Sequence, residues 1–207
     1  MMSFEDVRAE NWDKYNQMII ESERVYPDSI RTPAEEFVDV VREENAVSKV
    51  ILVDSQYAGN AIGFCMDDED KNMFGLTDLP GNPKVLYLFN FVINPQYQGM
   101  GYGYLLMREF ILSAKNMGYD YVFGHFRQNG SLHLIRKFGA QERGIHKNWE
   151  DVGEDYVVCC LDLRRIPDSS LNGPVPPAHS VNPQLNQHIG MGFHTKSHCH
   201  PCMPPRC

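Results

Sequence analysis

Apolar residues recur along the chain with two different spacings. The run VLYLFNFVI at residues 85–93 is almost continuously apolar and predicts a buried strand. Residues 101–117 instead repeat apolar side chains at helical spacing, and Gly118 ends that pattern. The same reasoning gives the order βααβββαβαββ, with strands at residues 3–7, 50–53, 58–66, 85–93, 121–126, 141–146 and 155–163. Interleaved strands and helices are typical of a mixed α/β protein.

Local signals refine this order. Thr32-Pro33-Ala34-Glu35 has the pattern of a capping box with proline at the first helical position, and it predicts where the second helix begins. A short helix is predicted at residues 131–138, where Gly139 ends it. Residues 67–84 begin with DDED and end with LPGNP, which predicts a loop.

The composition changes near Arg165. Residues 166–207 hold eight of the thirteen prolines and five of the eight histidines, and their apolar residues have no period. Such a segment cannot bury enough apolar surface to form a core. We therefore predict one folded domain at residues 1–165 and an extended or disordered tail rich in proline, histidine and cysteine at residues 166–207.

Net charge and the first residues narrow the function classes. A net charge of −8 argues against general binding to nucleic acid or to an anionic membrane. The first twelve residues carry acids and no apolar run, and no segment approaches the roughly 20 apolar residues that span a bilayer. We predict a cytoplasmic protein. Cys65, Cys159 and Cys160 lie in strand-like runs and are predicted to be reduced and buried.

Three glycines separate the strand at 85–93 from the helix that follows. They lie at positions 99, 101 and 103. A helix start offers unpaired N–H groups and partial positive charge, and glycine lets a phosphate approach them. The pattern predicts a phosphate site, above all for a pyrophosphate; the alternative is a tight turn without a ligand. No Gly-Lys-Ser/Thr follows, which excludes a P-loop, and the spacing disfavours a dinucleotide-binding fold.

The segment QGMGYG at residues 98–103 resembles the Gln/Arg-x-x-Gly-x-Gly/Ala loop of the GCN5-related N-acetyltransferases. The preceding FVINPQY is similar to the strand end of that family, and Lys137-Phe138-Gly139-Ala140 fits its short-helix region. The resemblance covers roughly residues 3–163. It implies a mostly antiparallel sheet flanked by helices, and an enzyme that transfers an acetyl group from acetyl-CoA to a primary amine by direct attack.

The resemblance also implies cofactor contacts. The pyrophosphate would rest on backbone N–H groups of the loop, and the pantetheine arm would pair with the end of the strand before it. A backbone N–H near Val92 would polarise the thioester carbonyl. Asn129 follows the next strand, where it either contacts the cofactor arm or caps a helix. The predicted cofactor residues are Phe91, Val92, Ile93, Gln98, Gly99, Met100, Gly101, Tyr102, Gly103 and Asn129.

The residues at the positions of the catalytic acid and the catalytic base differ from those of many family members. Many members carry a glutamate on the fourth strand, but the corresponding positions here are Tyr87 and Asn90. Either side chain could order a water that removes the proton, or could simply pack. His146 could act as a base or could be a surface histidine. The usual tyrosine of the short helix is replaced by Ile135 or Arg136.

The resemblance implies that the acceptor approaches near this part of the chain, where Asp67-Asp68-Glu69-Asp70 either gives an acidic rim that attracts a cationic amine or forms a solvated loop. We predict a cationic acceptor. The resemblance is also compatible with a homodimer. In the tail, Cys199-His-Pro-Cys202 has the C-x-x-C spacing of a zinc or redox site, with Cys207 and His198 as further ligands. A second interpretation stays open: an acyl-CoA-binding module without catalysis, whose Cys/His tail serves a metal or a protein partner.

Overall fold

The computed structural model describes residues 1–172. In this part of the chain the strands are β1 Met2–Asp6, β2 Val47–Val53, β3 Gln56–Cys65, β4 Val85–Ile93, β5 Tyr121–Arg127, β6 Gln141–His146 and β7 Tyr156–Asp162. The α-helices are α1 Trp12–Ser22, α2 Ala34–Arg42, α3 Asp68–Met73, α4 Tyr102–Asn116, α5 Gly130–Lys137 and α6 Asp168–Asn172.

One sheet carries all of these strands, in the order β1-β2-β3-β4-β5-β7-β6. Every neighbouring pair is antiparallel except β4 and β5, which are parallel. The helix α4 lies between β4 and β5 in the chain, as a parallel connection requires. The predicted mixed α/β class and the mostly antiparallel sheet are confirmed.

Each face of the sheet carries its own core. On one face the buried side of α4, with Leu106 and Phe110 fully buried, packs together with α5 and α6. On the other face α1 and α2 bury Ile19 and Phe37 against the strands. Burying an aromatic or aliphatic side chain of this size contributes about 1.5–3 kcal/mol. The helical spacing of apolar residues that predicted α4 thus corresponds to the face that this helix buries.

Two local predictions are wrong. The capping box at Thr32 does not form: Pro33 is the N-cap of α2, no side chain caps this helix start, and the Thr32 N–H donates to a carboxylate of Glu23 instead. Residues 67–84 are not only loop, because α3 begins inside them. Its start is a capping box of two acids, in which Asp67 Oδ1 accepts from the Asp70 N–H at 2.8 Å and Asp70 Oδ2 accepts from the Asp67 N–H at 3.2 Å.

The packed chain continues past Arg165. Ile166 and Leu171 are buried in the α4 core, and Lys115 Nζ lies 2.6 Å from both the Ile166 carbonyl and Asp168 Oδ1. Residues 166–172, which the composition assigned to the tail, therefore dock on α4. The predicted metal ligands His198, Cys199, Cys202 and Cys207 lie outside the described residues. Within residues 1–172, no helix has the length and apolar character needed to cross a bilayer.

Candidate functional site

A gap opens between β4 and β5, and we call it the splay. The two strands pair only from Val85 to Tyr87 on β4 and from Tyr121 to Phe123 on β5. Further along, β4 keeps its antiparallel pairing with β3 and β5 keeps its antiparallel pairing with β7, but β4 and β5 no longer pair with each other. The described strands therefore leave the later part of β4 with an unpaired backbone edge, which can accept an extended ligand.

A bulge in β4 lies beside this gap. Asn90 pairs with Ile62 of β3, but the next pair is Leu88 with Gly63, so Phe89 is an extra residue on β4. An extra residue bends a strand and redirects its peptide groups. The bulge thus stands directly before the residues that the sequence assigned to the pantetheine arm.

Alternation along β4 decides which of those residues face the splay. The Asn94 N–H donates to Ala58 of β3 at 2.9 Å, and a Cβ on Gly59 of β3 would lie 2.3 Å from the Val92 carbonyl oxygen. The peptide groups of Val92 and Asn94 therefore face β3. Those of Phe91 and Ile93 face the splay, so the N–H groups available there belong to these two residues, on either side of the expected Val92.

Two side chains already bind this open edge. The Tyr26 hydroxyl donates to the Phe91 carbonyl at 3.0 Å, and Gln98 Nε2 donates to the Ile93 carbonyl at 2.8 Å. Burial raises the pKa of Tyr26, so its phenol stays protonated as a donor. The predicted cofactor residue Gln98 thus ties the glycine loop to the end of β4.

The glycine loop has the backbone that its sequence predicts. Gly99 and Gly101 have φ values of 76° and 85°, a region that other residues rarely adopt. Gly101 is the N-cap of α4, and the helix begins at Tyr102. The first N–H groups of a helix have no partner within it, and Met100 beside them is exposed. Gly103 has no such φ value, so the backbone does not require glycine there.

Asn129 caps a helix. Its Oδ1 accepts from the Ser131 N–H at 3.0 Å and from the Ser131 hydroxyl at 2.9 Å, at the start of α5. Of the two roles expected for Asn129, the structure shows the cap. A contact with the cofactor arm stays a prediction.

Tyr87 pairs with a residue that the sequence did not single out. Its hydroxyl lies 3.0 Å from Nδ1 of His125 on β5. The other ring nitrogen, Nε2, is buried, and no hydrogen-bond partner for it exists among the described residues. Burial, with a smaller contribution from His146, lowers the pKa of His125 to about 3. The ring is therefore neutral near pH 7, and one of its nitrogens has a lone pair that can accept a hydrogen bond.

Aromatic rings surround this pair. Phe74, just after α3, stacks on Tyr87 with centroids 5.7 Å apart. Trp149 stacks on His125 at 4.2 Å and on His146 at 4.9 Å. His146 is thus an exposed residue of β6 whose ring joins a stack over His125.

Two connections meet above the stack. Trp149–Asp151, a 3₁₀ turn between β6 and β7, contacts Asp28–Ile30, a 3₁₀ turn between α1 and α2. Below them, Arg127 and Glu154 form a two-bond ion pair at 2.6 and 2.7 Å. The hydroxyl of Tyr156 is buried and has no partner among the described residues. Aromatic rings and a few polar groups therefore lie around the Tyr87–His125 pair.

Asn90 belongs to a buried polar network. Its Nδ2 donates to Glu23 Oε1 at 2.5 Å, and its Oδ1 accepts from Asn60 Nδ2 at 2.5 Å. Glu23 is 2% exposed, and burial raises the pKa of its carboxyl group. Asn90 therefore directs both of its polar atoms to protein partners rather than presenting them to a water in the splay. Glu23 was also missed, because nothing in the sequence indicates its contact with β4.

Comparison with known proteins agrees with this architecture. A family model described as the acetyltransferase (GNAT) family matches residues 5–140, more than half of the chain. The [ribosomal protein bS18]-alanine N-acetyltransferase of Haemophilus influenzae is 38% identical over 63 residues. That alignment spans 30% of this chain and 43% of the relative, so the chain matches less than half of that protein.

Solved structures share the fold at low identity. The ribosomal-protein-S18-alanine N-acetyltransferase from Escherichia coli has a TM-score of 0.59 and 17% identity, with 79% of this chain and 94% of that chain covered. NAA60 of Arabidopsis thaliana in complex with acetyl-CoA has a TM-score of 0.64 and 14% identity. The match covers 79% of this chain and 99% of that chain. The polyamine N acetyltransferase of Drosophila melanogaster has a TM-score of 0.63 and 12% identity. The match covers 78% of this chain and 100% of that chain. The match of the family model over residues 5–140 places this chain in the acetyltransferase (GNAT) family.

Proposed function

We propose that the protein transfers an acetyl group from acetyl-CoA to a primary amine, which attacks the thioester directly. The observation that carries the proposal is the Tyr87–His125 pair beside the open edge of β4. That edge leads through a 3₁₀ turn at Pro95–Tyr97 into a glycine loop at the start of a long helix. A carrier arm, its diphosphate and a proton acceptor would find partners on β4, on the glycine loop that follows it and on the neighbouring β5.

The loop would hold the diphosphate. Backbone N–H groups from Gly99 to Tyr102, together with the positive end of α4, suit the charge of that group. The pantetheine arm would bond to the open peptide groups of Phe91 and Ile93. The Phe91 N–H would then point at the thioester oxygen and stabilise the negative charge that develops there.

His125 would take the proton. If Nδ1–H donates to the Tyr87 oxygen, Nε2 keeps a lone pair that has no hydrogen-bond partner among the described residues. The amine nitrogen attacks the carbonyl carbon and the C–S bond breaks. The proton lost from nitrogen moves along a hydrogen bond to Nε2, directly or through a water, and on to solvent, because the low pKa of His125 keeps the ring neutral. The thiolate of CoA leaves and is protonated by solvent. This assignment replaces the weaker candidates Asn90 and His146.

The acceptor would enter between the two 3₁₀ turns that meet above His125. The net charge of −8 favours a cationic amine. The relatives are named for the alanine of a ribosomal protein and for polyamines, which share a primary amine as the reacting group. We propose that class for this chain. A homodimer, a cytoplasmic location and zinc in the tail stay predictions.

Calorimetric titration of acetyl-CoA into the full chain tests the first half of the proposal. Release of free CoA thiol with agmatine, spermidine and a peptide with an N-terminal alanine tests the second half. We expect saturable binding and amine-dependent thiol release. Binding without release from any amine would favour the acyl-CoA-binding module, and no binding would remove the cofactor assignment altogether.

A further inference from the structure

A buried carboxylate lies against β4 at the bulge. Glu23 follows α1 directly and is 2% exposed. Its Oε1 accepts from Asn90 Nδ2 at 2.5 Å and its Oε2 accepts from the Thr32 N–H at 2.8 Å. Removing an ionisable group from water is costly, and an apolar side chain could fill the same space at lower cost. Packing alone therefore does not explain why a carboxylate occupies this buried position.

The network around Asn90 permits one orientation of its amide. Asn60 Nδ2 donates to Asn90 Oδ1 at 2.5 Å, and the hydroxyl of Tyr57 donates to Asn60 Oδ1. Turning the Asn90 amide over would set a donor against Asn60 and an oxygen against the Glu23 carboxylate. Both ends would then repel, so the carboxylate and Asn60 together fix the side chain at one angle.

This fixed side chain belongs to the residue between the bulge and the open edge. Phe89 is the extra residue of β4, Asn90 follows it, and Phe91 carries an N–H that faces the splay. Tyr26 lies three residues after Glu23 and bonds the Phe91 carbonyl at 3.0 Å. The segment from Glu23 to Tyr26 thus forms hydrogen bonds with two successive residues of β4, Asn90 and Phe91. These residues follow the bulge, where the pairing with β3 is irregular.

We propose that Glu23 is a positioning residue for acetyl transfer: through Asn90 it fixes the β4 bulge and so aims the Phe91 N–H at the thioester carbonyl. The inference rests on the proposed function. Stabilisation of a developing oxyanion depends on the direction of its donor. The effect of Glu23 therefore belongs to kcat, whereas affinity for acetyl-CoA depends on the glycine loop.

Exchanging the two side chains gives a sharp test. Glu23→Gln leaves one of the two donors, the Thr32 N–H or the Asn90 amide, facing another donor. Asn90→Asp sets two carboxylates against each other. In the combined variant the new amide donates to the new carboxylate, which still accepts from Asn60, and the Thr32 N–H keeps an oxygen. Every hydrogen bond of the network is then restored.

The readouts are steady-state kinetics with agmatine and the amide spectrum of ¹⁵N-phenylalanine-labelled protein bound to acetyl-CoA. Each single substitution is expected to lower kcat about tenfold or more, with KM for acetyl-CoA changed less than about threefold, and the combined variant to return within about threefold of wild type. The Phe91 resonance, assigned with Phe91→Leu, is expected to shift in the single variants and to return in the combined one. Ser48→Ala, at a buried hydroxyl on β2, is the matched control and should leave both readouts unchanged.

The outcomes separate this inference from the proposed function. Folded single variants whose kcat stays within about twofold of wild type would overturn the positioning role, as would a combined variant no better than the worse single one. Wild-type protein that acetylates neither agmatine, spermidine nor the alanine peptide contradicts the proposed function. In that case the Phe91 resonance decides the inference by itself: if Glu23→Gln leaves it unmoved, Glu23 does not set the direction of that N–H.

Discussion

The end of β4 and its middle are built from different kinds of contact. The end leads into the loop at residues 98–103, which is shaped by its neighbours in sequence through two glycines of positive φ and the bond from Gln98 to Ile93. The middle is held by side chains from distant parts of the chain. Glu23 is 67 residues from Asn90, and His125 is 38 residues from Tyr87.

This difference separates two kinds of failure. A substitution in the loop changes one local backbone conformation, and we expect it to act on affinity for acetyl-CoA. A substitution in the middle of β4 disturbs a junction of several segments, and we expect it to act on rate. Single-site variants measured for both Kd and kcat therefore test whether the two regions are independent.

His125→Gln should produce the largest effect. The amide can still bond to the Tyr87 hydroxyl, but the proton acceptor at Nε2 is lost, so kcat is expected to fall about 10²–10³-fold. Thiol release measures the rate and calorimetry the affinity for acetyl-CoA, which should be unchanged. His133→Gln, at an exposed position of α5, is the control. Equal losses in affinity and rate would show that the two regions are not independent.

Gly101→Glu should act on affinity alone. It places a side chain at a φ of 85°, and its charge opposes the diphosphate. We expect Kd for acetyl-CoA to rise about 100-fold or more, from strain and repulsion together. Gly101→Gln introduces similar backbone strain without the charge, so its Kd for acetyl-CoA should lie between those of wild type and Gly101→Glu. If Gly101→Glu bound acetyl-CoA as wild type does, the loop would not hold the diphosphate.

The pH dependence of stability should reveal Glu23. Burial raises the pKa of this carboxyl group above its ordinary value of 4.5 in the folded protein, so the folded state holds this proton more tightly than the unfolded state. The stability that this contributes is complete below pH 4.5 and is lost as pH rises through the folded-state pKa. Wild-type stability minus that of Glu23→Gln should therefore decline with rising pH. Urea denaturation from pH 4 to pH 8 measures it, and a constant difference would show that Glu23 does not titrate in this way.

Gly103→Ala should have the smallest effect. Its φ is not positive, and the nearest atom to a new Cβ would be Ile93 Cγ1 at an ordinary 3.6 Å. Alanine is favoured over glycine in a helix by up to about 1 kcal/mol, so stability should rise slightly while Kd for acetyl-CoA stays within about twofold. Calorimetry and thermal unfolding measure the two. A strong loss of affinity would mean that a ligand approaches this Cα closely.

The parts of the molecule that could be predicted from sequence are those that local patterns determine. The continuous apolar run predicted β4 at residues 85–93, and the structure has it at Val85–Ile93. The glycine spacing predicted a loop whose backbone only glycine adopts easily, and Gly99 and Gly101 have that backbone. In both cases the signal lies within the segment itself.

The errors have a common physical cause. Thr32 has a capping pattern, yet its N–H is taken by Glu23, which arrives from the preceding turn. The run DDED was interpreted as part of a loop because the two acids that cap α3 belong to a cluster of four acidic residues. The role of His125 could not be predicted from the sequence, because only the parallel pairing of β4 and β5 brings its partner Tyr87 beside it. Each error needed a contact that periodicity does not encode.

The stack of Trp149 on His125 makes the acceptor side optically visible. The sequence contains two tryptophans, and the other, Trp12, lies against Phe37 at 6.3 Å. Trp12→Phe would leave a single indole emitter, 4.2 Å from the ring of His125. An amine that enters beside His125 must change the polarity and ring contacts around that indole. Its emission would then count occupied acceptor sites in real time, before any bond to the acetyl group is made.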